Sequence, residues 1–253
     1  MPTPKLPKLL QLIKDNAEAR AEGKAAIRSE STDTELHVYV YDVISSWWGA
    51  NAADLVEALA GAGDRTVHLH INSPGGDVFE ARAMSSAIVA HPGKVIGHID
   101  GLCASAATDL ALACNEVRIT SSGLFMIHNS WTMAYGNKTE LRSTADLLDK
   151  IDGTIASNYV AKTGKTLDQV KAWMDDETWF TAEEAKAEGF VDFIDANTKR
   201  ESAAEDQADP ARWNLSAYAK APKLTPPEPK LGDQIAAQLQ RNRNRLRLLD
   251  VAA

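Results

Sequence analysis

Cysteine is almost missing from this chain, with only Cys103 and Cys114 among 253 residues. Their spacing matches no metal-ligand pattern and suggests no disulfide framework, so a secreted disulfide scaffold is excluded and a reducing compartment is expected. Long apolar runs are missing too: no stretch approaches the roughly 20 residues of a membrane span. Between Met1 and Arg20 there are lysines but no continuous apolar core of the kind a secretion leader carries. Positive charge is outweighed, 27 Lys and Arg against 35 Asp and Glu, which gives a formal net charge of −8. That balance offers no general basic surface for nucleic acid or anionic lipid. A cytoplasmic protein without nucleic-acid or membrane partners is expected. The remaining composition, 44% hydrophobic and 25% charged, is that of an ordinary globular chain whose length allows one α/β core with appended tails.

Periodicity divides the chain into three parts. Residues 1–34 form an N-terminal extension, in which Leu6, Leu9, Leu10 and Ile13 recur at helical spacing and predict a short amphipathic helix over 5–22. From 35 to 195 strands and helices alternate. Leu36, Val38 and Val40 share one face of a strand, Asn51 caps a helix that stops at Gly61, and Val67 to Ile71 form a second strand. Val78 to Ala90 reads as a helix, Val95 to Ile99 as a strand, Ser105 to Ala113 as a helix of small residues, and 117–120 and 124–127 as strands. Such β–α alternation predicts a mainly parallel sheet with functional groups at the carboxyl ends of its strands. A long helical stripe follows from about Thr139 to Gly164. Thr181 and Glu184 form a capping box for a last short helix, and Phe190 to Ile194 returns as a strand. Residues 196–253 read as a linker containing Pro222, Pro226, Pro227 and Pro229. The end of that stretch is either a basic amphipathic partner-binding element bearing Arg241, Arg243, Arg245 and Arg247, or a solvated tail.

Three segments carry residues suited to acyl transfer. Ser105 lies in Gly101-Leu102-Cys103-Ala104-Ser105-Ala106-Ala107, His128 directly follows an apolar strand, and Gly75 and Gly76 end Ile71-Asn72-Ser73-Pro74-Gly75-Gly76. A serine hydroxyl is a weak nucleophile until a base takes its proton, and the oxyanion that forms on the substrate needs preorganised donors. His128 is the candidate base. Gly76 is the first candidate oxyanion donor, because glycine lets a substrate approach its amide, and Ala106 is the second, at a helix start where N–H groups are unpaired. His37, His68, His70, His91 and His98 sit at strand positions or element ends, where surface or core histidines are the default. His68 and His70 share a strand face with no accompanying carboxylate motif, so no metal is expected, and no cofactor.

Taken together, INSPGGDVFEA, GLCASAA, MIHNS and ETWFTAEEAKAEGFVD resemble, in content and order, the proteolytic subunit of the Clp protease, over about Glu35 to Asp195. The resemblance implies the ClpP-like α/β fold, a crotonase-like spiral of ββα units with a long handle helix. It implies a serine endopeptidase that cleaves polypeptides through an acyl-enzyme on Ser105. The third triad member falls at Glu177, where the family has aspartate, with Asp176 as the neighbouring alternative; Leu102 replaces a common glutamine. The handle implies homo-oligomers, heptameric rings that stack around a chamber, and a separate Clp-type ATPase, since the chain has no phosphate-binding loop of its own. The extra N-terminal and C-terminal segments resemble the Clp-like proteases of phage or prophage head maturation, which implies capsid or scaffold proteins as substrates. Two alternatives stand beside this reading: a crotonase-type acyl-CoA enzyme, and a catalytically inactive ring-forming structural protein.

Overall fold

In the computed structural model the described residues are Leu12, Asn16, 25–196 and 213–222. The N-terminal helix expected over 5–22, apart from Leu12 and Asn16, and the basic amphipathic tail lie outside them.

The fold is mixed α/β. Eight strands form one sheet: β1 (Ile27–Ser31), β2 (Glu35–Val40), β3 (Thr66–Ser73), β4 (Val95–Ala104), β5 (Glu116–Thr120), β6 (Leu124–Ile127), β7 (Thr178–Thr181) and β8 (Phe193–Asp195). The order β1-β2-β3-β4-β5-β8 forms its main path. Pairing is parallel from β2 to β8, and β1 joins as an antiparallel edge. The long strand β4 forks the sheet. Its first half, Ile96 to Ile99, pairs with β5, and its end, Leu102 to Ala104, pairs with β6, which in turn holds β7 antiparallel.

Helices α1 (Ala52–Ala60), α2 (Val78–Ala90), α3 (Ala107–Leu112), α4 (Lys138–Thr163), α5 (Leu167–Asp175) and α6 (Ala182–Ala187) follow the strands. Local chemistry sets their starts. Asn51 accepts from Asp54 N, Asp77 accepts from Phe79 N and Glu80 N, and Asn137 with Glu140 closes a capping box for α4. Thr181 and Glu184 do the same for α6, as their spacing predicts. The helical stripe predicted from Thr139 is the 26-residue α4.

One core joins these layers. Leu36, Val38 and Val40 of β2 and Val67, Leu69 and Ile71 of β3 bury one face beneath Leu55 of α1 and Met84 and Ile88 of α2. At the fork, Phe125 of β6 stacks on Phe190, ring centroids 4.9 Å apart, and Tyr159 of α4 meets Phe190 edge-on at 5.7 Å. This aromatic cluster ties the long helix to the strand that His128 directly follows.

Strands β1 and β7 and helix α5 have no counterpart in the sequence reading. The stretch read as a linker also holds a packed piece: Trp213, Leu215 and Tyr218 are buried against the core.

Candidate active site

Strand β4 ends at Ala104 and α3 begins at Ala107, so Ser105 occupies a sharp strand-to-helix turn. Its φ is 54°, a left-handed conformation costly for a residue with a Cβ. Surrounding bonds hold it there. Ser105 N donates to Met126 O at 2.9 Å, and Ser105 O accepts from Thr108 N at 2.9 Å and Thr108 Oγ1 at 2.6 Å. Thr108 is braced in turn by the Tyr159 hydroxyl at 2.6 Å. The turn lifts the serine oxygen clear of the sheet end, as nucleophile turns do.

Parallel pairing brings the base to it. Ala104 is registered with Met126, so the residues just beyond both strands converge, and Ser105 Oγ lies 2.7 Å from His128 Nε2. Burial lowers the His128 pKa from 6.5 to about 4, against the opposing charges of Glu177 and Asp152. The ring is therefore neutral at physiological pH, the state in which Nε2 can accept a proton.

Gly75 and Gly76 follow β3 on the other side of Ser105. At Gly75, φ is 89° and an added Cβ would stand 2.8 Å from Ser105 Cβ; at Gly76, φ is 146° and it would stand 2.1 Å from Ile44 O. Both positions require glycine. The N–H groups of Gly76 and Ala106 have no backbone acceptor among the described residues, which leaves them free to meet an oxyanion.

The two candidates for a third member sit differently. Antiparallel pairing of Ile127 with Thr178 brings Glu177 level with His128, again with a left-handed φ, 48°. Its carboxylate is turned to other donors: Oε2 accepts from Ala219 N at 2.8 Å, and Oε1 accepts from Lys220 N at 2.6 Å and Trp179 Nε1 at 3.3 Å. Asp176 is exposed and ion-paired with Lys220. A third carboxylate, Asp152 on α4, accepts from Ser130 N at 2.7 Å, and its charge also acts on His128. No sequence signal singled it out, since an aspartate beside a helical apolar stripe reads as a solvated flank.

The 213–222 segment lies across this site. The Tyr218 ring meets His128 edge-on at 5.3 Å, and its hydroxyl donates to Pro74 O and is within hydrogen-bonding reach of Ser105. Burial pushes the Tyr218 pKa well above the usual phenol value. Beside Ser105 and His128 is a small cavity of about 20 Å³, lined also by Val78, Ser130, Ile155 and Tyr159.

With this geometry in place, comparison with known proteins identifies the lineage. The model of the Clp protease family matches residues 32–198. The chain belongs to the Clp protease family. It is similar to the ATP-dependent Clp protease proteolytic subunit 1 of Leifsonia xyli subsp. xyli, at 33% identity over 145 residues, 56% of this chain and 74% of that protein. It is similar also to proteolytic subunit 3 of Rhodococcus jostii, at 28% identity over 144 residues, 56% of this chain and 71% of that protein. Proteolytic subunit 2 of Tropheryma whipplei is 28% identical over 130 residues, 51% of this chain and 72% of that protein. Membership makes this Clp-family chain a ClpP-like peptidase, from a family whose members form oligomeric rings and work with Clp ATPases. No described helix is long and apolar enough to cross a membrane.

Proposed function

We propose that this Clp-family chain is a serine endopeptidase in which Ser105 is the nucleophile and His128 the general base. The 2.7 Å approach of Ser105 Oγ to His128 Nε2 carries the reading. His128 takes the serine proton as Oγ attacks a peptide carbonyl carbon, and the resulting oxyanion is met by the N–H groups of Gly76 and Ala106. The tetrahedral species collapses when His128 returns the proton to the leaving amine, which leaves an acyl-enzyme. Water, deprotonated by the same imidazole, then attacks the ester carbon and restores Ser105. A crotonase-type acyl-CoA reaction leaves the Ser105–His128 pair without a role.

Glu177 serves as the third member in this proposal, stabilising the imidazolium once its carboxylate turns from the 219–220 amides toward His128. Its place opposite His128 in the β6–β7 pairing supports that role over Asp176, which faces solvent.

Helix α4 would act as a handle through which heptameric rings stack; exposed Leu141 and Leu147 on it are available for such contacts. The segments flanking the family match favour a phage or prophage head-maturation role in the cytoplasm, with capsid or scaffold protein as substrate. Unfolded casein tests the chemistry. Ser105→Ala should abolish cleavage while circular dichroism stays unchanged, and wild-type cleavage by that variant would remove Ser105 from the mechanism.

A further inference from the structure

The sheet face opposite the helices carries a patch of imidazoles that the proposed proteolysis does not use. Alternation sends Leu36, Val38, Val67 and Leu69 inward, and so turns Glu35 and His37 of β2, His68 and His70 of β3, and His98 of β4 outward. Neighbouring rings stack, with centroids 4.7 Å apart for His37 and His68 and 4.8 Å for His70 and His98.

A hydrogen-bonded series holds these rings in place. Asp100 accepts from the Tyr41 hydroxyl, and the same oxygen lies 2.7 Å from His70 Nδ1. A carboxylate oxygen accepts, so His70 carries a proton on Nδ1, and its other nitrogen, Nε2, points toward His37. His37 Nδ1 lies 3.1 Å from that nitrogen and shares a hydrogen bond with it. The remaining nitrogen of His37, Nε2, is thereby turned toward the Glu35 carboxylate, 3.9 Å away. His68 adds a third donor: its Nε2 is shielded from water, makes no hydrogen bond among the described residues, and lies 3.6 Å from Glu35. Ligand atoms of Glu35, His37 and His68 all lie within 4.8 Å of one another.

We propose that Glu35, His37 and His68 form a binding site for a zinc-like divalent transition metal, with water as the fourth ligand. Two imidazole nitrogens and one carboxylate oxygen suit that class of ion. Donors at tetrahedral zinc stand about 3.4 Å apart, so ligand atoms now within 4.8 Å of one another close by less than about 1.5 Å. The Asp100–His70–His37 series is the outer-shell support that ligating histidines normally have. The ion would tie β2 to β3 near their amino ends, far along the strands from Ser105, and so serve structure. The sequence reading saw no carboxylate beside His68 because the carboxylate arrives from the neighbouring strand.

The test is titration of chelator-stripped full-length protein with ZnCl2 by calorimetry and with CoCl2 by visible absorption. One equivalent bound, with a tetrahedral cobalt spectrum that weakens at least tenfold in affinity in Glu35→Gln and in His68→Gln, is expected. Absence of binding at 100 µM metal, at least about a thousandfold weaker than a structural site, would overturn the proposal. Undiminished binding in both variants would place the ion elsewhere and overturn it equally.

A separate set of contacts carries a second inference, which rests on the serine-peptidase reading. Besides Tyr218 over His128, the segment is anchored by Trp213 Nε1 donating to Asn72 Oδ1 at 3.2 Å and by paired bonds between Asn214 and Asn16 at 2.8 and 3.1 Å. The same segment holds the Glu177 carboxylate through two backbone amides. We infer that residues 213–222 are an internal strap that keeps the peptidase in a resting state, covering Ser105 and diverting Glu177 until it is displaced. Labelling of Ser105 by a fluorophosphonate probe tests this in the full chain. Tyr218→Ala, which removes the ring over His128, should label at least fivefold faster than wild type, with casein cleavage rising in parallel. Equal labelling rates would overturn the strap, whereas absence of labelling in both proteins would overturn the serine reading and the strap with it.

Discussion

Protonation of His128 should govern how folding stability responds to acid. The imidazole has a pKa of about 4 in the folded protein, lowered by burial, against 6.5 for a free ring. The unfolded chain therefore binds the proton more tightly, and folding stability falls as pH drops. The contribution is complete above pH 6.5, is lost between 6.5 and 4, and changes no further below that. Linkage puts the loss at about 2 kcal/mol by pH 5 and about 3 kcal/mol by pH 4; because the ring keeps some contact with water, these are upper values. Wild type alone would hide the effect, because buried Asp109 titrates in the same range with the opposite sign. The measurement is urea unfolding of wild type and His128→Gln at pH 8, 7, 6, 5 and 4. The stability difference between them should narrow or reverse in favour of the variant as pH falls, by about 2 kcal/mol between pH 8 and 5. A difference that stays constant over this range would show that the imidazole is not desolvated in solution, and would undo the argument that the strap and the core shield it.

Asp109 supplies the mirror image. Burial raises its pKa from 3.8 to about 6, with Arg82 opposing, so its contribution is present below pH 3.8 and lost as pH rises through 6. Asp109→Asn should therefore be more stable than wild type at pH 7 by up to about 3 kcal/mol and little different at pH 4, as read by thermal unfolding. Phe190, fully buried against Phe125, Tyr159 and Phe180, joins the long helix to the β6 strand. Phe190→Ala should cost about 3–5 kcal/mol in urea unfolding; a loss under 1 kcal/mol would mean that the cluster is not the joint described. Gly75→Ala should fold but lose peptidase activity at least tenfold, because its new Cβ would push on Ser105 Cβ and Ala106 N; full activity would show that the turn has room to yield.

Much of the site was legible because its parts sit at strand ends, where periodicity stops and small residues begin. Ser105, His128 and the glycine pair each follow a strand that alternation or an apolar run had marked, and the structure brings all three segments together. Glu177 was legible as a position, not as an interaction: the strand pairing brings it level with His128, while the direction of its carboxylate depends on amides 42 and 43 residues away. The strap was missed because a charged and proline-containing stretch has the composition of a linker, and nothing in its own pattern discloses that Trp213 and Tyr218 find a groove.

Local chemistry by itself determined where helices begin, which strand faces are apolar and which residues are small enough to surround Ser105. Those choices depend on neighbours a few positions away, through caps, alternation and the room a side chain takes. Tertiary structure alone decided which lone pairs face which partners: the 2.7 Å meeting of Ser105 with His128, the capture of Glu177, and the gathering of Glu35, His37 and His68 on one face. Each joins separate segments, and the strand register and long-range packing that align them are properties of the whole sheet and not of any one stretch of chain.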